Sequence, residues 1–113
     1  MKVDVREKDT IPVLDIKGEV TMYDIEPINE VIAVLISEKK YKIVFNLKEV
    51  PFIDSSGVGV ILRTLSNLYK HGGIIHLYNC GSAVENVIKI SIKNTSSQIF
   101  LNEDDAVKAC LAH

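Results

Sequence analysis

Apolar and charged residues alternate strictly at the start of the chain, where Lys2 to Arg6 reads KVDVR. Val3 and Val5 fall on one face and charges on the other, a period of two that predicts a half-exposed strand. Glu7 to Thr10 is polar and predicts a turn. Ile11 to Lys17 (IPVLDIK) predicts the returning strand of an antiparallel hairpin, with Pro12 marking an edge or an irregular beginning. The period then changes, because Ile25, Ile28, Ile32, Leu35 and Ile36 recur as on one face of a helix. Pro27 fits this helix only in its first turn, where its missing N–H would have no partner, and this favours Asp24 over Thr21 as the cap. Lys42 to Leu47 (KIVFNL) reads as a buried third strand. Val58, Ile61, Leu62, Leu65, Leu68 and Tyr69 then give a second helix to about Lys70. His71-Gly72-Gly73 closes it, with Gly72 suited to the left-handed C-terminal position and His71 to a terminal contact at the negative dipole end. Ile74 to Tyr78 (IIHLY) is the fourth strand. Ser82-Ala83-Val84-Glu85 has capping-box spacing for a short helix from about Ala83 to Ile90. Gln98 to Leu101 predicts a short last strand. Asn102 caps a final helix whose buried stripe is Val107, Cys110 and Leu111.

This order predicts an α/β fold: a mostly parallel sheet of about five strands with an N-terminal antiparallel hairpin and about four helices. Helices on both faces would require strands apolar on both sides. Lys2, Asp4, Arg6, Asp15, Lys17, His76 and Tyr78 instead make one face polar. The helices are therefore expected largely on the other face, in a right-handed strand-helix superhelix, with Val44, Phe45, Ile61, Leu62 and Leu65 in the core. A length of 113 residues predicts one domain over 1–113.

Charge and composition narrow the function. A formal net charge of −2 and a pI near 5.9, with no basic patch interleaved with aromatics, argue against nucleic acid. No apolar run reaches the length of a membrane span and the first residues lack a signal-peptide core, so a cytoplasmic protein is expected. Cys80 and Cys110 have no CxxC spacing and form no metal set with the three histidines; both read as small apolar fillers. Neither a nucleophile elbow nor a P-loop occurs, so neither an enzyme nor a cofactor is predicted.

One stretch stands out, Val50 to Leu62, VPFIDSSGVGVIL, because it places Asp54-Ser55-Ser56-Gly57 where a strand turns into a helix. A helix start carries unpaired N–H groups and the positive end of the dipole, so hydroxyls there cap the helix or carry a phosphate. Ser55 or Ser56 offers a capping oxygen, and Gly57 and Gly59 are expected to leave a bare helix surface that another backbone can approach. The string FIDSSGVGVIL, preceded by KIVFNLKEV, resembles the signature of the STAS family, most closely its anti-sigma factor antagonist branch. It departs from the usual pattern by Val58 where Leu is common. GEVTMYDIEPI resembles the start of the family's first helix, with Thr21 where Asp is usual.

That resemblance implies the same one-sided α/β layout and a protein-binding switch. The chain would bind an anti-sigma factor that is also a serine kinase and so release a sigma factor. Phosphorylation of Ser55 would turn binding off, and a PP2C-type phosphatase would restore it, with Ser56 left a capping role. The implied contact residues are Thr21, Tyr23, Asp54, Ser55, Ser56, Gly57, Val58 and Gly59, on a monomer or weak dimer. Two other readings stay open: a STAS module serving another system, such as lipid transport or a stress-signalling assembly, and a small-nucleotide binder using the helix start as an anion site.

Overall fold

The computed structural model describes residues 1–113. Its hairpin joins β1 (Lys2–Lys8) to β2 (Ile11–Lys17) through Asp9 and Thr10, both at positive φ, the geometry of a two-residue turn that follows the right-handed twist of the strands. The turn is thus tighter than the four polar residues suggested. Three further strands follow, β3 (Lys42–Glu49), β4 (Ile74–Tyr78) and β5 (Ile99–Phe100), giving one sheet of order β1-β2-β3-β4-β5. Only β1-β2 is antiparallel. Pro12 lies ahead of the first β2-β3 partners, Val13 and Val44, so its lack of an N–H costs the parallel ladder nothing.

Helices α1 (Glu26–Ser37), α2 (Ser55–Tyr69) and α3 (Ser82–Ser91) make the three parallel crossovers. The strand order advances one position at each step, so right-handed connections bring all three to the same face. Beneath them Leu14, Ile16, Ile43, Phe45, Leu47, Ile75 and Leu77 are buried against Ile28, Leu35, Ile61, Leu65 and Ile88. Leu62 is only half-buried. The left-handed residue after α2 is Gly72, φ +73°, and the His71 ring stacks on Tyr41 with centroids 4.2 Å apart.

Helix α4 (Glu103–Leu111) is the exception to the one-sided layout and lies on the polar face. It crosses that face over β3 and β4 and buries His76 and Tyr78. Polar residues of the sheet serve as its socket. Arg6 donates to both carboxylate oxygens of Asp15, at 2.7 and 3.1 Å, to the Tyr78 hydroxyl at 3.2 Å, and to Glu103. Tyr78 in turn donates to Glu103 at 2.8 Å, and Asn46 donates to Asp15 at 2.8 Å. The guanidinium holds Asp15 and Glu103 below the usual carboxylate range, and burial pushes the Tyr78 hydroxyl up to about 12. Cys110 lies on the buried face of α4 with Sγ 3.8 Å from the Ile43 carbonyl, and burial raises the Cys80 and Cys110 thiols to about 12.

The caps of α1 and α3 differ from expectation. The Asp24 carboxylate is taken by the Met1 ammonium, so α1 is preceded by Ile25 with no side-chain cap, although Pro27 does lie in the first turn. Ser82 is already helical, with Gly81 as the extended residue before it and no side-chain cap bond. Asn102 caps α4 as its sequence suggests, accepting from the Asp105 N–H at 2.9 Å.

Candidate functional site

The ladder between β2 and β3 does not stop where the strands end. Register shifts between Asp15 and Lys17, after which Gly18 N–H donates to Glu49, Val20 N–H to Phe52 and Asp54 N–H to Val20, at 2.9, 3.0 and 3.1 Å. Val20 and Ile53 form an isolated parallel bridge. This irregular extension carries the loop before α1 alongside the loop before α2. It brings the loop of Thr21, Met22 and Tyr23 to Asp54, through the Met22 N–H.

Asp54 is the N-cap of α2, a correction to the capping role given to Ser55 or Ser56. Its backbone is extended, and Oδ1 accepts from the Gly57 N–H at 3.0 Å while Oδ2 accepts from the Met22 N–H at 3.1 Å. These backbone donors, the Gly57 N–H foremost, hold the carboxyl below its ordinary value. Asp competes well with Ser for a cap, and one residue earlier it also reaches the neighbouring loop. Ser55 is the first residue of the helix and is exposed; Ser56 is half-buried.

The expected bare glycine surface is also corrected. Gly57 is buried, and a Cβ on it would lie 2.6 Å from Ile53 Cγ1 and 2.8 Å from both Val20 Cγ1 and the Val20 carbonyl oxygen. Gly57 therefore lets α2 seat on the Val20–Ile53 bridge, facing inward. Val58 is buried as well, and Gly59 is half-buried beside Arg63. Of the eight residues singled out in the sequence, Thr21, Tyr23, Asp54, Ser55, Ser56 and Gly59 reach the surface and Gly57 and Val58 support it from beneath.

What the outward surface presents is apolar. Tyr23 is 90% exposed, Met22 61% and Phe52 51%, on the two loops that the bridge holds together. Met22 and Phe52 carry no local signal, since an apolar residue in a loop is recognisable as exposed only once the loop's partner is known. None of the four surface cavities, of 240 to 330 Å³, is lined by Asp54, Ser55 or Ser56. An exposed apolar surface without a cavity suits a protein partner better than a small ligand, which needs a concave site. No group of three or more His, Cys, Asp or Glu side chains is arranged to hold a metal, and no helix is long and apolar enough to cross a membrane.

Known proteins share this fold. The STAS domain family model matches residues 2–106. The anti-sigma-B factor antagonist of Bacillus subtilis (strain 168) is 27% identical over 103 residues, covering 83% of this chain and 94% of its own length. A crystal structure from Thermotoga maritima, provisionally assigned as an anti-sigma factor antagonist, superimposes with a TM-score of 0.86 at 21% identity, over 96% of this chain and 94% of that one. The phosphorylated form of the Bacillus cell fate determinant SpoIIAA does so with a TM-score of 0.73 at 23% identity, over 95% and 97%. The structural likenesses establish the fold, and the family match runs unbroken from β1, through the Asp54–Ser55 junction, into α4. The chain belongs to the STAS domain family.

Proposed function

We propose that this chain is an anti-sigma factor antagonist, acting in the cytoplasm as a single STAS module over residues 1–113 and without catalytic turnover of its own. In its unmodified form it binds an anti-sigma factor that is also a serine kinase, and so frees a sigma factor. Phosphorylation of Ser55 turns binding off; a PP2C-type phosphatase restores it.

The observation that carries this reading is the setting of Ser55: an exposed hydroxyl on the first residue of α2, beside the Asp54 cap and the exposed Met22, Tyr23 and Phe52. Phosphate there adds about −1.5 to −2 charges at pH 7. The helix start tolerates them, because it carries the positive end of the dipole. A partner desolvating the apolar surface does not, since it would cover a dianion next to the anionic Asp54. The name of the Bacillus subtilis relative and the phosphorylated state of the SpoIIAA structure support the same reading.

The test is incubation of the purified chain with ATP and a candidate anti-sigma factor kinase, followed by intact-mass measurement and site mapping. One phosphate on Ser55, with partner affinity lost on modification and regained after PP2C-type phosphatase treatment, is the expected result. Phosphate on Ser56, Thr64 or Ser66 with Ser55 unmodified would overturn it.

A further inference from the structure

The long edge strand of the sheet is β1, and its outward side is not closed by anything in the fold. Lys8 and Ile11 flank the two-residue turn as Cα partners, so strand alternation directs the backbone groups of Lys2, Asp4, Arg6 and Lys8 toward β2. Those of Val3, Val5 and Glu7 then point away from the sheet, and no backbone or side-chain hydrogen bond satisfies them within the chain. Beside this edge, Val5 is 47% exposed and Val34 of α1 is 56% exposed, and with Val31 and Leu35 they line a cavity of about 310 Å³ rimmed by Glu30 and Glu38.

Edge strands are often blunted by charge. Here one face of β1 carries Lys2, Asp4, Arg6 and Lys8, with Asp4 the one anion between cations, and the other carries Val3, Val5 and Glu7. An edge of mixed sign does not repel every copy of itself. In an antiparallel pairing with a second β1 about a twofold axis at Val5, each Asp4 faces the other copy's Arg6, and the two Val5 side chains meet at the centre. The same register opposes Val3 to Glu7, so all three outward residues find partners, about six backbone hydrogen bonds in all. The like-charged Lys2 and Lys8 meet only at the ends, where Asp4 and Asp104 already accompany them at 3.8 and 3.2 Å. Centring on Asp4 would bring Asp4 against Asp4, and centring on Arg6 would bring Arg6 against Arg6. Centring on Val3 would leave Glu7 unpaired and draw on Met1, whose ammonium is bound to Asp24.

We propose that β1 is a self-pairing edge through which two copies of this chain form a twofold dimer with a continuous sheet, the apolar cavity between β1 and α1 being covered by Val5 and Val34 of the second copy. None of these residues belongs to the surface around Ser55, so the inference stands apart from the functional reading.

Sedimentation velocity on the full chain, with amide exchange followed by NMR, tests it. A concentration-dependent dimer is expected, with the Val3, Val5 and Glu7 amides becoming protected as the dimer fills. Val5→Lys should weaken association at least tenfold while the circular dichroism spectrum keeps its native form; Asp4→Lys, facing Arg6, should weaken it too. A single-chain mass up to about 1 mM would overturn the proposal. So would a dimer indifferent to Val5→Lys with freely exchanging Val3, Val5 and Glu7 amides, or protection of those amides seen only when another protein's segment binds a monomeric chain.

Discussion

The Asp54 carboxylate reaches across 32 residues of sequence to accept the Met22 N–H, while its other oxygen accepts the Gly57 N–H. One side chain thus starts α2 and fastens the loop that carries Tyr23. Asp54→Ala should lower the melting temperature by about 5 °C, the size of shift a lost N-cap gives in a domain of this length. Ser56→Ala should stay within about 0.5 kcal/mol of the parent, because no cap bond depends on it. The native carboxyl titrates below its ordinary value, so its contribution is present above the ordinary carboxylate range and is lost as pH falls through the depressed value. Thermal melts of both variants decide the assignment, and a larger loss for Ser56→Ala would reverse it.

The two glycines of this helix should respond in opposite directions. Gly57→Ala forces a methyl into Ile53 and Val20, so a loss of about 1–3 kcal/mol is expected. At Gly59 only the mobile end of Arg63 is close, at 3.1 Å, and Gly59→Ala should be neutral or stabilising by up to about 1 kcal/mol through helix propensity. Urea unfolding of the pair measures this; equal effects would mean that the inward seating of Gly57 is wrong.

His76 should act as a buried neutral base. Its Nδ1 accepts from the Gln98 N–H at 3.2 Å, its ring meets Phe100 edge to face at 5.1 Å, and burial lowers its pKa from 6.5 to about 4. Between these values the unfolded chain binds the proton and the native chain does not. Stability therefore falls as pH drops from about 6.5 toward 4 and is insensitive to this group above that window. The denaturation midpoint at pH 5 should lie below that at pH 7. An NMR titration placing His76 near 6.5 would remove the basis for the effect.

Partner binding should depend on exposed side chains that contribute little to folding. Tyr23→Ala and Phe52→Ala should each leave the melting temperature nearly unchanged, yet cost about 1–2 kcal/mol in affinity, as aromatic anchors at interfaces do. Ser55→Asp should weaken the same interaction tenfold or more, equivalent to about 1.4 kcal/mol, whereas Ser55→Ala should bind and resist phosphorylation. Calorimetric titration against the anti-sigma factor reads all four, and undiminished binding by Ser55→Asp would contradict the switch.

Periodicity located β1, α1 and α2, because Val3, Ile28 and Ile61 repeat with the period of the element that buries them, while cap spacing located α3 and α4. The reading of faces failed at β4. Tyr78 and His76 look polar in a string of letters, yet each has a large apolar body, and the Tyr78 hydroxyl is satisfied by Arg6 and Glu103 from the two ends of the chain. The Ser55 junction was legible for a similar local reason, as a strand, a cap and a helix follow directly in sequence. The Met22 and Phe52 surface was not, since it exists only through the Val20–Ile53 bridge. Cap assignment failed at α2 because Asp, Ser and Ser are all competent, and only the Met22 amide distinguishes the first of them.

The Arg6–Glu103 contact joins residues 97 positions apart. During synthesis the hairpin and the three crossovers can collapse in the order in which they leave the ribosome, but the socket for α4 must wait for Glu103 and the residues after it to emerge. Until then Asp15, Asn46 and Tyr78 remain solvated and the side of the sheet carrying Val13, Val44 and Ile74 is uncovered. The nascent chain therefore passes through a stage with one finished and one sticky face, which a chaperone could recognise, and its final closure carries the slow, long-loop step of folding.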